Sequence, residues 1–532
     1  MNPEPKSPTP SVKLRVLVVT ILGAGIVFLD SSVATVALPA IQRDLDVSTA
    51  LLQWVASGYL LTLSVLLLIG GRLADIFGRR RMFLYGLAAY AALAALAGLA
   101  PSGLALVGIR SVQGIAGAVL VPTTLAIINA VFPPDERGRA IGIWAGWSGI
   151  TTILGPVVGG FVIDTLSWRY AFFIAPVIAL VALALSRPVP ESADPTASRS
   201  LDVVGVLLSC AAFGGLVFAL IQGPIAGWDA TEVLVAAVAG GLFLPVFIVW
   251  ERRTAHPMLP LEMFANRNLT AANAVTLFVY AGLYGTFFYV ALYVQTALTA
   301  SATVAGSMFV PITLLLFFLS PYAGRLNDRY GPRWLMCLGP LVAAVGLMIA
   351  SFTGPGQLWT VLMPGIVVFG IGLGFTVAPL TATAIGSAEE RFSGAASGFN
   401  NAVSRIAGLL AIAAMGVIVV QLWQAGITAE IAQAPEPVAE VLATVSTQAF
   451  VLPDTEGLPA EQATESISLA AEVARRSFRS GMLLAAALVA LGGVLAALFI
   501  RNPARTEETR VPTPRAPSQM GCVTPECEPE SG

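Results

Sequence analysis

Charge is what this chain has least of. Only 11% of its 532 residues are Asp, Glu, Lys or Arg, whereas 56% are hydrophobic. A soluble fold of this length cannot keep its surface wet with so few charges, so a membrane class is left. The formal net charge of −2 gives nucleic acid or an acidic partner nothing to hold. Histidine is reduced to His256, which sits beside Pro257 in a polar stretch and reads as a linker residue, not a proton relay. The four cysteines are too few for a disulfide framework. Cys210 and Cys337 lie in apolar runs, and Cys522 and Cys527 sit in a polar tail with no further metal ligand nearby. A Gly-rich nucleotide loop with its Lys is missing, as is any plausible triad, so neither ATP-driven work nor an enzyme has the parts it needs, and no cofactor is expected.

What the chain has instead is long apolar runs. Fourteen stretches of roughly 18 residues or more read as spanning helices. The expectation is an all-α integral membrane protein. The first run continues through Asp30 to Pro39 without a small-residue cleavage site, so it is not expected to be a cleavable signal peptide. With the N-terminus inside, 22 of the 29 Lys and Arg fall in cytoplasmic segments and 5 in outer ones. That asymmetry puts both termini in the cytoplasm.

The runs repeat. Gly71-Arg72-Leu73-Ala74-Asp75-Ile76-Phe77-Gly78-Arg79-Arg80 returns 253 positions later as Gly324-Arg325-Leu326-Asn327-Asp328-Arg329-Tyr330-Gly331-Pro332-Arg333. Gly108 through Gly117 to Pro122 is echoed by Gly365 through Gly374 to Pro379 at an offset of 257. Two markers at nearly one offset predict two pseudo-symmetric six-helix bundles, an arrangement used by many transporters. The expected order is a cytoplasmic N-terminus (1–13), a first bundle (14–187), an inserted helix pair (202–250) and a cytoplasmic linker (251–268). A second bundle (269–500) follows, with a long outer segment at 421–479 carrying short amphipathic helices, and then a disordered tail at 501–532.

Several segments in order carry a family resemblance. Gly71 to Arg80 resembles the loop between the second and third helices of the major facilitator superfamily. Leu29-Asp30-Ser31-Ser32-Val33-Ala34-Thr35-Val36-Ala37-Leu38-Pro39 resembles the first-helix motif of its fourteen-helix drug:proton antiporters. Arg110-Ser111-Val112-Gln113-Gly114 and Gly155-Pro156-Val157-Val158-Gly159-Gly160 are similar to their fourth- and fifth-helix motifs, and Trp168-Arg169-Tyr170 to the start of their sixth. Thr35 and Ala175 stand where that family usually has Asn. The resemblance implies a multi-pass protein of the plasma or inner membrane that exports small lipophilic organic compounds, drugs included, in exchange for protons, with no cofactor and no nucleic acid. Some members that export cations carry an acidic residue in the second half. Here none falls inside those spans apart from Asp328 in the repeated loop, which argues against dicationic substrates.

The residues themselves point the same way. Asp30 is the one acidic residue well inside an expected span, about 24 Å along the first helix at ~1.5 Å per residue. Arg110 lies at a similar depth in the fourth, roughly 9 Å from its outer start, so the two could face one another. Burial disfavours a charged carboxylate and a neighbouring guanidinium favours it, so opening the site to one side and then the other can load and unload a proton. The alternative is a static ion pair that fixes helix packing. Val367 stands at the equivalent of Arg110, so charge was placed in one half only.

The expected gating residues are Gly71, Asp75, Gly78, Arg79 and Arg80, their repeats Gly324, Asp328 and Gly331, and the helix-five face of Gly155, Pro156, Gly159 and Gly160. Gly71 and Gly78 would permit a sharp turn and close helix approach, Asp75 could meet the positive end of a neighbouring helix, and Pro156 could kink its helix as a pivot. The loop could equally be a plain positively charged anchor, and the glycine face ordinary packing. The expected substrate cavity draws on Tyr59, Gln113, Trp147, Asn273, Tyr280, Tyr284 and Arg405, an aromatic and weakly polar set suited to amphipathic organic molecules. Arg405 could meet an anionic group of the substrate or a helix-end carbonyl. Two other functions fit the same sequence: export of a lipid, siderophore or other metabolite, and a transport-dead membrane sensor.

Overall fold

The computed structural model describes residues 9–193, 202–255, 257–388 and 393–502. His256, the tail from 503 and the cysteines within it lie outside the described residues, as do residues 1–8 of the N-terminus.

With so little water around an apolar chain, each backbone N–H and C=O must find a partner within its own segment, and a helix is the local answer. The first group is α1 (Pro10–Leu45), α2 (Thr49–Phe77), α3 (Arg79–Gly98), α4 (Gly103–Val131), α5 (Pro134–Thr165), α6 (Trp168–Ala171) and α7 (Ile174–Leu185). Next come α8 (Val203–Ala226) and α9 (Thr231–Arg253). The last group is α10 (Arg267–Thr296), α11 (Ala302–Ser307), α12 (Val310–Tyr330), α13 (Pro332–Ala350), α14 (Met363–Gly386), α15 (Ser393–Ile431), α16 (Glu436–Thr444) and α17 (Ala460–Phe499). Starts are marked by Ser48 and Ser102, whose hydroxyls accept from the N–H groups of Leu51 and Ala105. Among the described residues, 13 helices are long and apolar enough to cross a membrane, and α5 contributes the shorter apolar stretch Leu154–Thr165.

The repeat seen in the sequence is a repeat of neighbours. In the first group α2 packs on α4, α1 on α5, α3 on α4, α1 on α7 and α3 on α7. The last group repeats the pattern: α12 on α14, α10 on α15, α13 on α14, α10 on α17 and α13 on α17. Between the groups, α2 meets α15 and α5 meets α11. Helices α8 and α9 pair with one another, and α8 lies against both α2 and α15, flanking that seam.

Four expected helices have different ends. The sixth expected span breaks at Phe172–Phe173 into α6 and α7, and the tenth at Met308–Phe309 into α11 and α12. The outer segment expected at 421–479 is mostly the continuation of α15 to Ile431 and of α17 from Ala460, with α16 as its one separate helix. Hydropathy falls at those points, but Ala, Glu and Gln keep the helix going because they are good helix formers.

Candidate functional site

Asp30 lies on α1 at 2% exposure and Arg110 on α4 at 1%, and Arg110 Nη1 donates directly to Asp30 Oδ2. The same oxygen accepts from Tyr90 Oη at 2.9 Å and from Gln113 Nε2 at 3.3 Å. Arg110 Nη1 also donates to Gln113 Oε1 at 2.8 Å, and the guanidinium lies 4.3 Å from the Tyr59 ring centroid and 5.6 Å from that of Phe172. Tyr59 and Tyr90 close the circle through a hydroxyl contact of 3.2 Å. A buried carboxylate here has a counterion and two neutral donors, so either protonation state keeps hydrogen-bond partners. Tyr59 and Gln113 thus belong to this cluster, contrary to their expected place in the substrate cavity. Their polar ends turn toward Asp30, where they satisfy one another out of reach of solvent.

Trp168 and Arg169 hold the end of the same bundle. Both donate to Asp44 Oδ2, at 3.0 and 2.9 Å, and Arg169 also donates to the carbonyl of Ala100 at 2.8 Å.

Glycines set how closely helices meet. A Cβ on Gly155 would stand 2.0 Å from Ser32 Oγ and one on Gly159 3.0 Å from Val33, so these two seat α5 on α1. A Cβ on Gly160 would lie 2.6 Å from the Ala302 carbonyl oxygen, and one on Gly306 2.1 Å from that of Pro156, so the next face of α5 presses backbone to backbone on α11. Asp164 pins that contact: its carboxylate accepts from the N–H of Ala302 at 2.9 Å and of Thr303 at 2.8 Å. Other bonds between the two groups lie at the same end. Gln53 Nε2 donates to Tyr289 Oη at 3.0 Å, Gln295 Nε2 to the Val36 carbonyl at 3.0 Å, and Gln448 Nε2 to Asp46 at 3.0 Å. The Ala449 N–H donates to Thr49 Oγ1 at 2.8 Å. The groups are therefore tied at the end that holds Asp46 and Thr49.

The repeated loops form turns at Gly78 (φ 100°) and Gly331 (φ 81°), a left-handed region that glycine enters without steric cost. Each turn is filled by a side chain from beyond the last helix of its own group. Glu191 accepts from the N–H groups of Arg80 and Arg81, both at 3.1 Å, and Asn502 Oδ1 from that of Arg333 at 3.1 Å. The close helix approach expected at Gly71 occurs one residue earlier. A Cβ on Gly70 would lie 1.9 Å from the Ala118 carbonyl oxygen, whereas Gly71 meets only Pro122 at 3.5 Å and Gly324 meets nothing. The side chains of Asp75 and Asp328 lie outside the described residues.

The other expected cavity residues divide. Arg405 Nη1 donates to Tyr284 Oη at 2.7 Å, its guanidinium lies 5.1 Å from the Phe28 ring centroid, and Tyr280 stands 6.4 Å from Tyr284, so these meet at the seam between the groups. Asn273 is instead buried against Asn400, which donates to it at 3.1 Å and to Thr276 at 2.8 Å. Trp147 is 56% exposed on α5 and joins neither set.

Residues 20–412 match the model of the Major Facilitator Superfamily. The chain belongs to this superfamily. It is 32% identical, over 96% of its length and 97% of the relative's, to the tetracenomycin C resistance and export protein of Streptomyces glaucescens. It is 34% identical to a puromycin resistance protein of Streptomyces alboniger, over 76% of this chain and 81% of that one. In fold it resembles a bacterial homolog of the human lysosomal transporter Spinster, in an inward-facing and unoccupied conformation, with TM-score 0.65 at 18% identity over 93% of this chain and 100% of that one. The protein is thus a multi-pass membrane member of a transporter superfamily.

In this superfamily member Tyr90, Tyr289, Asp164 and Glu191 were not among the expected site residues. Tyr90 had a usable signal, since it is a hydroxyl in the middle of the Ala- and Leu-rich α3. Asp164 and Glu191 had none, because each sits at a boundary where a carboxylate ordinarily faces water.

Proposed function

We propose that this chain is a proton-coupled exporter of small lipophilic organic compounds, drugs among them, working by alternating access with no cofactor. The observation that carries the reading is the Asp30 carboxylate, buried at 2% beside Arg110, Tyr90 and Gln113 in a helix group that is tied to its repeat at one end. In this reading the charge asymmetry of the loops makes that tied end the outer one, with both termini in the cytoplasm, and substrate enters from the opposite end. Two relatives named for resistance, one of them also for export, support the direction and the substrate class.

Asp30 releases its proton to the cytoplasm as substrate binds, Arg110 then neutralises the bare carboxylate, and the paired state favours rocking toward the outside. Outside, substrate leaves, a proton returns to Asp30, and the neutral carboxyl lets the bundles swing back. The glycine contacts of α5 with α1 and α11, together with the two glycine turns, are the surfaces that part and rejoin. In this reading residues 14–187 and 269–500 are the moving bundles, 202–250 an accessory pair beside the α2–α15 seam and 251–268 their cytoplasmic tether.

The test is drug uptake into inside-out vesicles with an imposed pH gradient. The natural chain should accumulate drug and collapse the gradient, whereas Asp30→Asn should do neither. Accumulation by Asp30→Asn equal to that of the natural chain would refute the coupling.

A further inference from the structure

Arg405 carries a charge in an otherwise uncharged stretch of α15. Among the described residues no carboxylate pairs with it, and its polar partner is the neutral hydroxyl of Tyr284. A guanidinium offers five N–H donors, and a charge left unpaired among apolar helices is costly, so one retained there has work to do. The contrast with Arg110 is direct: that guanidinium is fully buried, while Arg405 is partly open, as are Phe28, Tyr280 and Tyr284 around it. One turn away on α15, Asn401 is exposed.

The location is also specific. Arg405 sits seven residues along α15 from Ile412, whose carbonyl accepts from Tyr289, and Tyr289 in turn accepts from Gln53 in the tie between the groups. At ~1.5 Å per residue the guanidinium lies roughly 10 Å below that closure. It therefore stands on the untied side of that closure. Its neighbours come from both groups: Phe28 from α1, Tyr280 and Tyr284 from α10. Phe28 is two residues from Asp30 on α1, so whatever displaces its ring pulls on the segment that carries the buried carboxylate.

We infer that this seam is an anion subsite, and that the compounds exported best are planar aromatics bearing a carboxylate or an ionised phenol. Arg405 takes the anionic group with its free donors, Tyr284 holds the guanidinium in place, and Phe28 and Tyr280 flank the ring. This rests on the exporter reading above and sharpens its substrate class. Among the described residues no acidic side chain pairs with Arg405, which disfavours cations there for the same reason that it favours anions.

The experiment measures binding of three fluorescent probes that share one ring system, using the full-length protein in liposomes: anthracene-9-carboxylate, anthracene-9-methanol and anthracen-9-ylmethylammonium. The natural chain should bind the carboxylate at least ~10-fold more tightly than the alcohol, and the ammonium most weakly. Arg405→Gln should bring the carboxylate to within about 3-fold of the alcohol, and the alcohol binding that remains shows that the variant is folded. Arg405→Lys should keep part of the preference. Equal binding of all three by the natural chain, preference for the ammonium, or an undiminished carboxylate preference in Arg405→Gln would each overturn the inference. The same probes in export assays separate the two readings. Export of the alcohol and ammonium with no advantage for the carboxylate removes only the anion subsite, whereas export of none of the three removes the exporter reading along with it.

Discussion

The two halves share a helix arrangement and differ in what they do with charge. In the first, Asp30 and Arg110 are sealed together at 2% and 1% exposure and wrapped by Tyr59, Tyr90 and Gln113. In the second, Val367 replaces the guanidinium, the buried polar contact is the neutral Asn273–Asn400–Thr276 trio, and the cation Arg405 stands partly open at the seam. A duplicated scaffold fixes where helices lie, not what titrates. In the proposed cycle one copy stores a proton while the other, freed of that duty, meets the substrate.

The comparison is broken most forcefully at Asp30. Asp30→Asn should lower gradient-driven accumulation at least ~100-fold and slow exchange of labelled for unlabelled drug with it, since a neutral amide mimics only the protonated half of the cycle, in which the carrier returns empty. Asn273→Ala, in the buried polar trio of the second half, should change accumulation no more than about 3-fold. Next in size is Arg110→Gln, which removes one partner of a buried pair and should cost about 3–5 kcal/mol, read as a fall in thermal stability at neutral pH. Adding Asp30→Asn to Arg110→Gln should restore part of that loss, because no uncompensated carboxylate remains.

The seam can be tested from its tied end. Gly306→Ala must place a Cβ 2.1 Å from the Pro156 carbonyl oxygen, so α5 and α11 cannot meet as they do here. Transport should fall about 10-fold, and a cysteine placed at Thr303 should react faster with a membrane-impermeant maleimide in intact cells. Smaller again is the pair of turns. Gly78→Ala and Gly331→Ala each force a side chain into left-handed backbone and against Glu191 or Asn502, at about 1–2 kcal/mol. Equal losses in thermal stability from the two would show that the halves match in their loops even though they differ at Asp30.

Much of this was legible before any coordinate. Helix content follows from apolar runs that have no other way to satisfy their backbone, and the pairing of neighbours follows from two loops at one offset. Asp30 and Arg110 were legible because an ionisable residue in the middle of an apolar run is rare enough to stand out. Their circle was not. Tyr59 and Gln113 looked like cavity residues, because a hydroxyl or an amide in a helix does not announce which way it turns. Tyr90 passed as one aromatic among many. The closure at Gly160, Gly306 and Asp164 was out of reach, because it joins segments more than a hundred residues apart and depends on which face of α5 meets α11. The helix breaks at Phe172–Phe173 and at Met308–Phe309 fall on residues that are neither Pro nor Gly, and so left no mark.

The division of labour between the halves is tested most directly by counting protons on binding. Purified protein in weakly buffered solution is mixed with an exported drug, and the protons released per drug bound are measured for the natural chain and for Asp30→Asn. The account predicts about one proton released by the natural chain and none by the variant, with drug still bound by both. Proton release by Asp30→Asn equal to that of the natural chain would contradict it.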